Sequence, residues 1–298
     1  MFKSAFVALV GRPSSGKSTL LNTLCGAKVS IVSPVPQTTR NSIRGIVTEK
    51  RGQLVFIDTP GVHLSEKKMN RRLRAAAEQG LAGADLTLYL IDATRKPGAE
   101  EQLVSDVIQK SAWQENLIIA VNKTDAAPAD CATIEEFVFS TFNGFDRTRL
   151  IMLSALTGSG TDALLDALFD RAHEGPQYYD GDCYTDQEIP FRIAEIIREK
   201  CIVHLREELP HCIHVIVEDA ELRGGGAVGK LWVRASILTE RESQKGMVVG
   251  KGGSMIRKIR IAALQELKKI FEWKIELDLR VKSAPDWRQR DEILSSFV

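Results

Sequence analysis

No apolar run in this sequence reaches the ~18–20 residues that a bilayer-spanning helix requires. Charge of one sign is not in excess either. Forty basic residues face thirty-nine acidic ones, a net charge of +1, so any surface for nucleic acid must be a local patch. Cysteine is sparse: Cys25, Cys131, Cys183, Cys201 and Cys212 are scattered, odd in number and form no CxxC pair. That argues against a disulfide scaffold and for a reduced, cytosolic setting. His211, Cys212 and His214 follow the alternation of a strand with no second ligand pair nearby, a poor match to zinc. Internal repeats and low-complexity tracts are missing as well.

What is present is the mix of a globular protein, 44% hydrophobic and 27% charged over 298 residues, which excludes disorder and collagen-like repeats. The length suits two domains of ~100–200 residues each. The opening MFKSAFVALVG has the lysine and short apolar stretch of a miniature signal peptide. It runs into Gly11 without a small-residue cleavage site and reads better as a first β-strand.

From 1 to 173, short apolar runs alternate with helix-length segments. Strands are expected at Ala5–Val10, Gln53–Ile57, Leu86–Ile91, Leu117–Val121 and Leu150–Leu153. Helices are expected at Lys17–Leu24, Lys67–Ala82, Ala99–Ala112, Ile134–Phe142 and Thr161–Ala172. This order implies an α/β domain, a mostly parallel sheet with helices on both faces, whose ligands sit beyond the carboxyl ends of the strands. Residues 174–190 carry Gly175, Pro176, Gly181 and Pro190 and read as a linker. From 191 to 298 the order becomes α-β-β-α-α-β, an α+β domain.

Gly11-Arg12-Pro13-Ser14-Ser15-Gly16-Lys17-Ser18 matches GxxxxGK[ST] between a strand and a helix, the context a phosphate loop requires. Its amides would surround the phosphates at a helix N-terminus. Lys17 would reach the β- and γ-phosphates, and Ser18 would offer Mg²⁺ its hydroxyl. About forty residues on, Asp58-Thr59-Pro60-Gly61 follows a strand. There a carboxylate can hold the magnesium water shell, and the Gly61 amide can approach a γ-phosphate. Asn122-Lys123-Thr124-Asp125 ends another strand. Asp125 can accept two hydrogen bonds from a guanine edge, a pairing that adenine does not offer and that can discriminate by ~10⁴–10⁵. Lys123's stem can lie over the base and Asn122 can brace the loop, while the amides of Ser154-Ala155-Leu156 would meet the guanine O6. Together these segments resemble the GTPases of the translation-factor class over roughly residues 2–173.

Between the phosphate loop and Asp58, Ser33-Pro-Val-Pro-Gln-Thr-Thr-Arg40 suits an extended loop ordered by GTP. From resemblance to related GTPases, Thr39 rather than Thr38 is the expected ligand of Mg²⁺, with Ser18 and Asp58. Val62 stands where many GTPases have a water-orienting glutamine. Slow intrinsic hydrolysis follows, the water being oriented by backbone, another side chain or a partner. Ser14 replaces the asparagine of many relatives, which puts potassium stimulation in doubt.

Gly250-Lys251-Gly252-Gly253, between Met247–Val249 and a basic helix, resembles the GxxG loop of a KH domain in the variant ordered α-β-β-α-α-β. Such a loop presses backbone amides against a sugar–phosphate chain while a groove receives about four bases. From Arg241 to Arg260 there are six basic residues and one acidic. Lys245, Lys251, Arg257 and Lys258 are the candidate RNA contacts. Single-stranded RNA is the expected ligand, and its affinity should fall with salt.

A GTPase domain followed by a KH domain resembles the Era family. The match is carried by Gly11–Ser18, Pro36–Arg40, Asp58–Gly61, Asn122–Asp125, Glu188–Glu195, His204–Pro210 and Arg241–Gly253, while Trp287–Val298 looks least like the usual ending. The resemblance implies a monomeric cytoplasmic GTPase that hydrolyses GTP to GDP and binds the 3′ end of 16S rRNA. It would assist maturation of the 30S ribosomal subunit, with peripheral contact at the cytoplasmic face of the inner membrane. Two alternatives stay open at this point: a GTPase acting on a different structured RNA, and a non-hydrolysing GTP-gated assembly scaffold.

Overall fold

The strands of the first half form because their apolar residues are continuous rather than alternating, as burial on both faces demands. Every residue of the strand Leu86–Asp92 is buried. The computed structural model describes all residues except 34, 36, 37, 39, 60–79, 112, 225–228 and 290–298. Two compact units emerge: one holds Met1–Ser30 and Thr39–Asp186, the other Ile31–Thr38 and Gln187–Leu294.

In the first unit β1 (Lys3–Val10), β2 (Ile43–Glu49), β3 (Gly52–Asp58), β4 (Leu86–Asp92), β5 (Leu117–Asn122) and β6 (Leu150–Met152) form a sheet ordered β2-β3-β1-β4-β5-β6. It is parallel except for β2, antiparallel to β3, and the two-residue β7 (His173–Glu174), antiparallel to β1. Alternate side chains of β1 feed two cores: Ala5, Val7 and Leu9 enter one, Ala8 and Val10 the other. Helices α1 (Lys17–Cys25) and α5 (Thr161–Arg171) supply buried leucines to the first core. Helices α2 (Ala99–Gln109) and α4 (Cys131–Thr141) complete the second, and a single turn α3 (Trp113–Asn116) leads into β5. Strand order reverses at β1, which places a ligand crevice beyond its carboxyl end.

The antiparallel β2 was not anticipated, and most of the helix expected at Lys67–Ala82 lies outside the described residues. The stretch expected as a linker is bound to this unit as far as Asp186. Gln53 accepts from the amides of Tyr178 and Tyr179 (2.9 and 3.0 Å), and Ile46 donates to the Tyr184 carbonyl (3.0 Å).

In the second unit α6 (Ile189–His204) and a short α7 (Leu209–Cys212) precede β8 (Ile213–Arg223) and β9 (Lys230–Thr239). Then come α8 (Glu242–Val249), α9 (Ser254–Ile270) and β10 (Lys274–Ser283). The sheet is ordered β10-β9-β8, with β10 parallel and β8 antiparallel to β9. Val215, Val233, Ile237 and Leu277 meet Ile193, Ile197, Ile259 and Leu267 of the helices in one core. Trp287 is fully buried, donates to the Cys212 carbonyl (3.0 Å) and stacks on His214 at 5.2 Å. Within the same unit the buried Arg198 of α6 donates to the Thr38 carbonyl (2.6 Å), and the buried Glu199 accepts from the Val32 amide (3.0 Å). Among the described residues no helix is long and apolar enough to cross a membrane.

Candidate nucleotide site and RNA-facing loop

The phosphate loop leaves β1 at Gly11 and enters α1 at Gly16, whose φ of 100° lies where only glycine is comfortable. Ser14 also has positive φ (62°). Gly16 is needed for space as well, since a Cβ there would come 2.2 Å from Asn122 Nδ2. That amide donates to the Ser15 carbonyl (2.8 Å), so the base-recognition loop braces the phosphate loop directly. Lys17 is buried and its ammonium donates to the carbonyls of Gly11 (2.8 Å) and Arg12 (2.9 Å). Burial pushes its pKa down to about 8 against the attraction of Asp58. Arg12 and Pro13 are buried, and the Arg12 side chain packs against carboxylates, leaving only its backbone to line the loop.

Asp58 ends β3 fully buried, and burial raises its pKa against the pull of Lys17 and two hydroxyls. Its Oδ2 accepts from Ser18 (2.8 Å) and Ser30 (3.1 Å), whereas Oδ1 is buried with no partner among the described residues. A hydroxyl beside a carboxylate with an unclaimed buried oxygen fits a hydrated Mg²⁺. Ser30 was not anticipated; nothing in its sequence surroundings marks it. Thr59 is held by its hydroxyl donating to the Leu9 carbonyl (2.9 Å). Thr39, Pro60, Gly61 and Val62 lie outside the described residues.

Beyond β5, Asn122 joins three loops: it also accepts from the Ala155 amide (2.8 Å). Ala155's N–H is therefore engaged, and of the amides expected to meet O6 it is Leu156's that has no partner among the described residues. Ser154 is buried, and its amide donates to the Ser159 carbonyl (2.9 Å). Leu156 is exposed. Thr124 bonds twice to the Leu153 carbonyl through its amide and hydroxyl. Lys123, with φ of 66°, donates to the Ser14 carbonyl and to Asp92, both at 2.8 Å. Asp125 is exposed and its carboxylate carries no partner among the described residues. It is free to accept from a base.

In the second unit Gly250, Gly252 and Gly253 all have positive φ (75°, 59° and 77°). A Cβ on Gly250 would sit 2.8 Å from Met255, while Gly252 and Gly253 face open space. The first glycine closes the turn and the other two present bare backbone at the start of a 17-residue helix, a place suited to anions. Lys251, Arg257 and Lys258 are exposed. Lys245 is ion-paired to Glu242 (2.7 Å) at the surface, a bond cheap to exchange for a phosphate. Arg260 instead donates to the Leu277 carbonyl (2.7 Å) on the edge strand β10, beside an open cleft of about 730 Å³.

Geometry of this kind defines a class, a P-loop nucleotide-binding domain followed by a KH domain. Family models agree: one described as 50S ribosome-binding GTPase matches residues 6–123 and the KH domain model matches 208–288. The GTPase Era of Treponema denticola is 46% identical over 294 residues, 99% of either chain, and that of Borreliella burgdorferi 43% identical over 296, again 99% of each. The chain belongs to the GTPase Era family and is a GTPase. Two solved structures each reach a TM-score of 0.92 at 32% identity over at least 99% of both chains. They are a variant of Aquifex aeolicus Era bound to GDP·AlF₄⁻ and an Era in complex with MgGDPNP and nucleotides 1506–1542 of 16S ribosomal RNA.

Proposed function

We propose that this chain is a GTP-gated RNA-binding protein that takes up the 3′ end of 16S rRNA and assists maturation of the 30S subunit, with release after hydrolysis. The reading is carried by one observation. Ile31–Thr38, the residues leading to the expected γ-phosphate sensor Thr39, belong to the same compact unit as the RNA loop. Nucleotide state at Thr39 is then felt by the unit that holds RNA.

In this reading Gly11–Ser18 bind the α-, β- and γ-phosphates, and Lys17 turns its ammonium from the Gly11 and Arg12 carbonyls to the phosphates. Asp125 accepts from the guanine edge, Lys123 covers the base, and the Leu156 amide meets O6. Ser18, Asp58 and Thr39 would hold Mg²⁺, which when bound neutralises charge on the β- and γ-phosphates. With Val62 unable to orient water through a side-chain amide, the attacking water is aligned by backbone or by bound RNA, and intrinsic turnover is slow. Gly250–Gly253 hold the RNA backbone, with Lys245, Lys251, Arg257 and Lys258 countering its phosphates.

The test is Gly252→Asp. Aspartate tolerates the left-handed backbone there, so the loop survives while a negative charge enters the phosphate path. Affinity for an RNA carrying the small-subunit 3′ tail should fall about tenfold or more, with GTP affinity unchanged. Unchanged RNA affinity would remove the loop from the interface. A scrambled oligonucleotide binding as tightly as the tail would mean that another RNA is the target.

A further inference from the structure

Asp92, the last residue of β4, lies at the centre of an ionic cluster that the phosphate and base loops share. It is 2% exposed. Its Oδ1 accepts from the amide and hydroxyl of Thr94 (2.9 and 2.6 Å), which fixes the carboxylate plane. Its Oδ2 accepts from Lys123 at 2.8 Å and lies 3.0 Å from Arg12 Nη2. Arg12 in turn places Nε 2.6 Å from the buried Glu101 of α2. Neither guanidinium nitrogen aims an N–H well at its carboxylate, so these are ion pairs rather than aligned hydrogen bonds. Among the described residues the one well-directed side-chain bond to Oδ2 comes from Lys123.

Lys123 has few other restraints. Its backbone is left-handed and its side chain is about a third exposed. A long flexible stem that must lie along a base loses rotamer entropy when the base binds, unless its end is already fixed. The Ser14 carbonyl gives one anchor and Asp92 the charged one. Burial alone would raise the Asp92 pKa, but the bonds from Lys123 and Thr94 outweigh it and hold it below the usual carboxylate range. The anchor is therefore an anion at neutral pH.

We propose that Asp92 is a positioning residue for guanine-nucleotide retention: it pre-sets the Lys123 side chain and ties it, through Arg12, to the phosphate loop. This deepens the reading of Asn122–Asp125 as the base loop and rests on it. A nucleotide bound at either loop meets the other already in place, so the effect falls on GDP and GTP alike.

The experiment follows dissociation of fluorescent GDP and GTP from the full chain, in a double-mutant cycle of Asp92→Asn and Lys123→Met. Asp92→Asn should speed release of both nucleotides about tenfold in the wild-type background and less than twofold in Lys123→Met. The same factor in both backgrounds, or no change in either, overturns the proposal. Where Asp92→Asn fails to fold, Asp92→Glu, which keeps the charge and displaces it by a methylene, is read in the same cycle with the same criteria. Asp125→Asn is the companion control. If it leaves the preference for guanine over xanthine nucleotides intact, the base-loop reading itself fails, and that outcome is distinct from failure at Asp92.

Discussion

At Gly16 two demands meet on one residue: a left-handed backbone and contact with Asn122 too close for any side chain. Gly16→Ala should therefore cost more than the ~1 kcal/mol of an ordinary glycine replacement, because the methyl displaces the amide that braces the phosphate loop. A fluorescent GTP titration should show at least a hundredfold weaker binding, with RNA affinity measured in the absence of nucleotide unchanged. Binding within a few-fold of wild type would mean that the brace is dispensable. At this scale the sequence was legible where chemistry is tied to spacing. Hydrogen bonds join Ser18 to Asp58, Asn122 to Ser15 and Lys123 to Ser14. Ser30 and Asp92 were not legible, since a serine after a helix and an aspartate at a strand end acquire a role only from what the fold brings beside them.

Among the elements, the buried strands were the easiest to read, because a parallel sheet covered on both faces leaves continuous apolar runs. Strand β2 escaped for the converse reason. Arg44 is exposed and Gly45 interrupts the run, so Ile43–Glu49 carries neither a continuous nor an alternating pattern. Gly45 is there because a Cβ would press within 2.4 Å of Leu21 on α1. The glycine and proline of 174–186 suit a linker, and Gln53 hydrogen-bonds this segment to the sheet through Tyr178 and Tyr179. Trp287 is fully buried over His214 with its N–H satisfied. Trp287→Ala should destabilise the second unit by about 3–5 kcal/mol, seen as a lower urea midpoint at unchanged slope. A shift below about 1 kcal/mol would show that the ending packs only loosely.

Over the whole molecule, one stretch of chain, Ile31–Thr38, leaves the first unit and belongs to the second. Sequence order assigns Ile31–Thr38 to the nucleotide domain, but packing assigns it to the RNA-binding unit through Arg198 and Glu199. Sequence patterns do not reveal this, because both partners are charged residues on a helix that would ordinarily face water. Each already has an ionic partner on its own helix, Glu195 for Arg198 and Lys200 for Glu199, so the loop adds two hydrogen bonds to buried charged groups, each worth about 1.5–3 kcal/mol. Coupling of this kind typically amounts to 1–3 kcal/mol. The measurement that tests it most directly is fluorescence anisotropy of an oligonucleotide bearing the 16S rRNA 3′ tail, titrated with protein loaded with GDP or with a non-hydrolysable GTP analogue. Binding should be at least fivefold tighter with the triphosphate. Equal affinity in both states, with loading verified, would contradict it.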